Sequence, residues 1–178
     1  MKVYLVRHGQ STANAQKTLN SDPKRDVHMT ALGIEQAEKL AEDLKDVPFE
    51  TIYVSEFLRT KETADIINKY HHLQLQVDPR LNDNKSGFDG RPRQEFLAAL
   101  DSSADKPNAK FHDGESLENV RQRAAGFLQF LKAQNYKCVL VVTSDIVIAY
   151  FLATLEKLTH EQAWGLNIDN GSCTIIEI

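Results

Sequence analysis

Five short β-rich runs punctuate this chain, and the stretches between them carry a different period. KVYLV (2–6), TIYV (51–54), LQLQV (73–77), CVLVV (138–142) and CTIIEI (173–178) are dense in branched and aromatic residues. From Thr30 onward Leu32, Ala37, Leu40, Ala41 and Leu44 fall on one helical stripe that closes before Pro48. Residues 57–69 read as a second helix with Ser55 as its cap, and 116–133 as a third and longest one. Residues 146–156 are almost wholly apolar, which predicts a buried helix, and Thr159-His160-Glu161-Gln162 fits a capping box opening a short last helix. Strands alternating with helices demand right-handed crossovers and a mostly parallel sheet covered on both faces.

Residues 78–115 break this rhythm. They hold Pro79, Pro92 and Pro107 among many Asn, Asp, Gly and Ser residues, with one short helix expected at 93–100. A loop region of that length inside a compact unit is usually functional, so 78–115 is expected to be a substrate-facing insertion in a single domain spanning 1–178.

Composition excludes several function classes. The 21 basic and 25 acidic side chains are mixed along the 178 residues, giving a net charge of −4 and no basic stripe of the kind a nucleic-acid binder carries. No apolar run is long enough to span a bilayer, and Met1-Lys2-Val3-Tyr4 enters structure with no leader pattern, so no membrane partner is expected. Cys138 and Cys173 lie inside apolar runs without CxxC spacing. They read as small buried hydrophobes in a reducing compartment, which points to the cytoplasm. The sequence leaves the oligomeric state open.

Ligands in parallel α/β sheets bind at the carboxyl ends of the strands. Arg7-His8-Gly9-Gln10-Ser11-Thr12-Ala13-Asn14 follow the first strand there, and Ser55 and Arg59 the second. Arg80, Asn82, Asp83 and Lys85 follow the third, and Thr143, Ser144 and Asp145 the fourth. Two arginines and a histidine on one rim make a dianion site, because guanidinium forks match phosphate oxygens and stay charged. A neutral imidazole between them can attack phosphorus, and a carboxylic acid in the long loop can protonate the leaving alcohol.

Several ordered motifs sharpen this. VYLVRHGQSTAN, MTALGIEQA, YVSEFLRTKETA, DPRLNDNKSGFDGRP, DGESLENVRQR and NGSCTIIEI run from Met1 to Ile178. Together this set resembles the histidine phosphatase superfamily, the phosphoglycerate-mutase-like fold. The resemblance implies that His8 is the phosphorylated nucleophile and that Arg7 and Arg59 clamp the phosphoryl group with help from Asn14. Asp83 stands where the family usually has a glutamate general acid, although Asn82-Asp83-Asn84 is also an ordinary turn sequence. The chemistry requires no metal and no cofactor. The expected architecture is a three-layer α/β/α sandwich on a mixed, mainly parallel sheet, with an antiparallel C-terminal strand at or near an edge.

The fourth strand departs from the family pattern. There the family places a second histidine after V-V-T/S. Aligning Val141-Val142-Thr143 puts Ser144 on that position, and Ile146-Val147-Ile148 favours this register over one that puts Asp145 there. Ser144 could donate one hydrogen bond to a phosphoryl group but brings no charge, and Asp145 adds a negative one. Both are also preferred N-cap residues ahead of a buried helix, which is the alternative reading. Of the other histidines, only His112 comes into question as a distant substitute. Arg91, Arg93 and Lys85 could meet an anionic substrate or form a solvated loop face.

The expected activity is hydrolysis of phosphomonoesters through a phosphohistidine on His8, impaired by the missing imidazole. The expected partner is a small phosphorylated substrate or a phosphoprotein. A catalytically inactive phospho-ligand binder is the alternative from another class, and a phosphoglycerate mutase ranks lower because the chain is short and lacks an E-R-H-Y-G run.

Overall fold

In the computed structural model, which describes residues 1–178, the sheet has strand order β3-β2-β4-β1-β5. The strands are β1 (Lys2–Arg7), β2 (Thr51–Val54), β3 (Leu75–Val77), β4 (Cys138–Thr143) and β5 (Cys173–Glu177). β1 pairs in parallel with β4, β4 with β2 and β2 with β3, while β5 runs antiparallel to β1 at the edge. The parallel register sets Arg7 beside Thr143 and Val54 beside Val142. Three strands therefore end level with one another, and His8, Ser55 and Ser144 leave the sheet on one rim.

Helices cover both faces. They are α1 (Thr12–Ala15), α2 (Ala31–Leu44), α3 (Leu58–Asn68), α4 (Arg93–Asp101), α5 (Leu117–Lys132), α6 (Asp145–Glu156) and α7 (His160–Trp164). Side chains of β4 alternate between two apolar clusters. Val139 and Val141 join Val3, Leu5, Phe127, Tyr150 and Phe151 on the α5–α6 side. Cys138, Leu140 and Val142 join Leu40, Ala41, Ile52, Ala64 and Ile67 on the α2–α3 side. All six residues of β4 are buried, as a central parallel strand covered on both faces requires. Its unbroken apolar run follows from that position. Cys138 and Cys173 are free thiols. No helix is long and apolar enough to cross a membrane.

The structure corrects three local expectations. β3 begins at Leu75 and not at Leu73, because the backbone of Leu73 is held by the Asn68 side chain, accepting from Nδ2 at 2.7 Å and donating to Oδ1 at 2.9 Å. Ser55 does not cap α3, whose N-cap position is Phe57. Its hydroxyl instead pairs with that of Thr60 at 2.7 Å, inside the turn. Ser144 does occupy the N-cap position of α6, but its side chain makes no capping bond. The capping box at Thr159, by contrast, forms as expected, with Gln162 completing it.

Candidate active site

The chain leaving β1 is held from several sides, and most of the motif residues do the holding. Thr30 caps α2 by accepting from the Gly33 N–H at 3.1 Å, and Gln36 Oε1 accepts from the Gln10 N–H at 2.9 Å. Gly9 and Gly33 are glycines because the two segments touch. A Cβ on Gly9 would lie 2.3 Å from the Gly33 carbonyl oxygen, and one on Gly33 would lie 2.1 Å from the Gln10 carbonyl oxygen. Thr63 Oγ1 accepts from the Gly9 N–H at 3.1 Å and donates to the Arg59 carbonyl at 2.7 Å, linking the β1 exit to α3. Asn170, from the last motif, donates to the His8 carbonyl at 3.0 Å. These contacts make the rim a rigid support for one imidazole.

The tautomer of that imidazole follows from its two neighbours. His8 Nδ1 lies 2.7 Å from the Gly9 carbonyl, which can only accept, so Nδ1 carries the proton. Arg59 Nε, always protonated, donates to His8 Nε2 at 3.0 Å, so Nε2 presents its lone pair. Both constraints select the same form. Burial pushes the His8 pKa well below its usual value, and the positive charges of Arg59 and Arg7 push it further, against the raising effect of the Gly9 hydrogen bond. A neutral, fixed imidazole with an unprotonated Nε2 is the form a nucleophile needs, and here that lone pair is engaged by the Arg59 N–H.

Around it lies a cleft of about 140 Å³ whose polar wall includes Arg7, His8, Asn14, Arg59 and Asp83. Arg59 is buried at 3 % exposure and stacks over the Phe57 ring at 4.3 Å. Its remaining donors go to the Asn20 side chain and, at 2.9 Å, to Asp83 Oδ2. Asn14 closes a capping box with Ser11, which uses its carbonyl oxygen. Asp83 is positioned through its backbone. Arg123 donates to the carbonyls of Arg80 at 2.8 Å and Asp83 at 3.2 Å, and pairs with Glu115 at 2.8 Å. Glu115 in turn accepts from the Lys85 N–H at 3.0 Å. The residues of DGESLENVRQR thus pin the loop that carries the carboxylate.

The far wall differs from the expectation. Ser144 is buried at 2 % exposure, its hydroxyl has no hydrogen-bond partner, and it does not line the cleft. Asp145 lines it instead, as the first residue of α6, with Oδ2 at 3.1 Å from an Arg7 guanidinium nitrogen. Its other oxygen accepts from the Ile146 N–H at 2.8 Å. Removal from water raises the Asp145 pKa, opposed by Arg7 and reinforced by Asp83. Sequence reasoning also missed Asn20, whose contact with Arg59 spans 39 positions and has no local signature.

The loop cations separate. Arg93 lines the cleft from α4, beside Phe96. Arg91 is spent on Glu95 and the Phe88 ring, and Lys85 on Asp113 at 2.9 Å. His112 packs edge-on against Phe88 at 5.4 Å and is no part of the cleft wall. Ile146, Ala149, Ala163, Trp164 and Leu166 supply an apolar part of the wall.

The chain is 30% identical over 185 residues to the adenosylcobalamin/alpha-ribazole phosphatase of Escherichia coli, covering 100% of this chain and 90% of that protein. It is 29% identical to a 2,3-bisphosphoglycerate-dependent phosphoglycerate mutase of Thermoplasma acidophilum, covering 98% of this chain and 86% of that one. Among solved structures, YhfR of Bacillus stearothermophilus superposes with a TM-score of 0.88 at 27% identity, over 99% of this chain and 91% of that chain. Residues 3–178 match the histidine phosphatase superfamily (branch 1), and the chain belongs to that family.

Proposed function

We propose that the protein hydrolyses small phosphomonoesters through a phosphohistidine on His8, at a rate lowered by the absence of a second histidine on the far wall. The observation that carries this reading is the fixed neutral imidazole of His8, its Nε2 lone pair 3.0 Å from the Arg59 guanidinium and its ring on the cleft wall with Arg7. For attack the Arg59 Nε–H leaves the Nε2 lone pair for a phosphoryl oxygen. An Nε2–P bond then forms as the P–O bond to the alcohol breaks, and Asp83, when protonated, delivers its proton to the departing oxygen. Water then attacks the phosphorus, the Nε2–P bond breaks and phosphate leaves, with Asp83 taking up the water's proton. Arg7, Arg59 and the Asn14 amide supply fixed donors to the phosphoryl oxygens, which is where most stabilisation of such a transition state comes from. The relatives support a phosphorylated small molecule as substrate, and the loop 78–115 supplies Asp83, Arg93 and Phe96 to the cleft that would hold its alcohol portion.

A second reading is a phospho-ligand binder that does not turn over. The Arg7–Asp145 pair favours it, because it places a carboxylate where a transition-state donor is wanted. A Ser144→His variant separates the two. Loss of one preorganised donor costs about 10²–10³ in rate, so restoring it should raise 4-nitrophenyl phosphate turnover by a comparable factor over a slow parent. No gain would contradict the impairment, and a parent with no turnover and no phosphorylated His8 would favour the binder.

A further inference from the structure

We infer that Asp145 sets which charge form of a phosphoryl group this site accepts, favouring a singly charged form over a dianion. This rests on the reading of the cleft as a phosphate pocket. Both arginine forks in the cleft already face a carboxylate. Arg7 pairs with Asp145 at 3.1 Å and Arg59 with Asp83 at 2.9 Å. The four groups sum to zero formal charge, whereas the two arginines alone would offer two positive charges to a dianion. His8 is neutral, and Arg93 on α4 is the remaining charged group on the cleft wall.

Asp145 is held where it is. One carboxylate oxygen takes the Ile146 N–H at 2.8 Å, and this points the other at Arg7. An acidic residue in the first turn of α6 is favoured by the helix dipole, which accounts for an acid at this position but not for its engagement with the phosphate-side arginine. Arg7 Nη1 donates to the Ile168 carbonyl and Nε, unpartnered, is closed off from solvent, so a phosphoryl oxygen approaching Arg7 meets the nitrogen already paired with Asp145. A dianion seated there would face the Asp145 carboxylate across the same guanidinium. A monoanion, or a dianion beside a protonated Asp145, would not meet that repulsion. Ser144, buried and outside the cleft wall, has no means of offsetting it.

The test uses sulfate, which remains a dianion from pH 5.5 to 8 and so isolates the protein's own protonation. Sulfate is titrated calorimetrically into the parent chain, Asp145→Asn and Asp145→Ser, with Arg59→Ala introduced into each. Asparagine keeps the acceptor for the Ile146 N–H and removes the charge, and serine checks that the effect follows the charge and not the amide. At pH 8 both Asp145 variants should bind sulfate about tenfold or more tighter than the parent. The gap should narrow toward pH 5.5 as the parent's Asp145, which faces Arg7, His8, Arg59, Asp83 and Arg93, takes up a proton. Equal affinity of parent and variants at pH 8, with Arg59→Ala still abolishing binding, would overturn the role of Asp145 alone. Sulfate binding indifferent to Arg59→Ala, or absent from every variant, would overturn the phosphate-pocket reading and this inference with it.

Discussion

Arg59 Nε donates to His8 Nε2 across 3.0 Å, so the guanidinium proposed to grip the phosphoryl oxygens also aims the atom proposed to attack. The same group holds Asp83 and Asn20 with its other nitrogens. A lysine cannot reproduce this three-way geometry from a single point charge. Arg59→Lys should therefore slow phosphoryl transfer to His8 by about 10²–10³, measured as single-turnover phosphorylation. A rate within a factor of a few of the parent would show that the fork is not used.

The buried His8 also makes stability depend on pH. Its folded pKa lies below 6.5, the ordinary value that it regains on unfolding. Above that value both states are neutral and the group contributes nothing. Below it the unfolded chain binds a proton that the folded chain refuses, so stability falls as pH drops. The slope reaches about 1.4 kcal/mol per pH unit at most for one proton. Thermal melts between pH 7.5 and 5 should show a steeper loss for the parent than for His8→Gln, and parallel curves would contradict this.

Arg123 reaches the cleft only through other atoms. It holds the carbonyls of Arg80 and Asp83 while paired with Glu115 at 2.8 Å, largely out of solvent. Arg123→Ala should cost about 1–3 kcal/mol of stability by leaving those carbonyls without a donor. A positioning role adds that kcat falls while KM changes little, because Asp83 is displaced and the arginines are not. Arg123→Lys should recover part of kcat. A loss of stability with kcat intact would reduce Arg123 to scaffolding.

Gly9→Ala tests the close approach of β1 and α2. The added methyl would meet the Gly33 carbonyl oxygen at 2.3 Å, a backbone contact that no side-chain rotation can relieve. The expected loss is about 1–3 kcal/mol, or a melting temperature lower by roughly 2–4 °C for each kcal/mol in a chain of this size. Unchanged melting would show that the two segments separate more easily than their hydrogen bonds imply.

How much of this was legible in the sequence depends on how local each cause is. The five strands, the buried α6 and the antiparallel edge of β5 follow from period, burial and family pattern, and the structure agrees with them. Arg7, His8, Arg59 and Asp83 stand together because strand ends and one helical turn bring them to a common rim. The short α1, the late start of β3 and the Arg59–Asn20 contact depend on side chains distant in sequence or on a single Asn bond, and no periodicity announces them. Thr143-Ser144-Asp145 is the instructive case. Residue type suggested that Ser144 would either cap α6 or touch phosphate. The backbone turn instead buries its hydroxyl unpartnered and turns Asp145 toward Arg7. Which of two adjacent polar residues faces a cleft is decided by the exit angle of the strand, and that is a tertiary property.

The central claim is that His8 accepts a phosphoryl group and gives it up slowly. Rapid-quench reaction with 4-nitrophenyl phosphate, followed by peptide mass spectrometry under alkaline conditions, measures both steps at once. The account predicts a burst of nitrophenol matched by an acid-labile phosphoryl group on the His8 peptide, absent in His8→Gln, followed by slower release of phosphate. Turnover that proceeds equally in His8→Gln, with no phosphorylated His8 at any time, would contradict it.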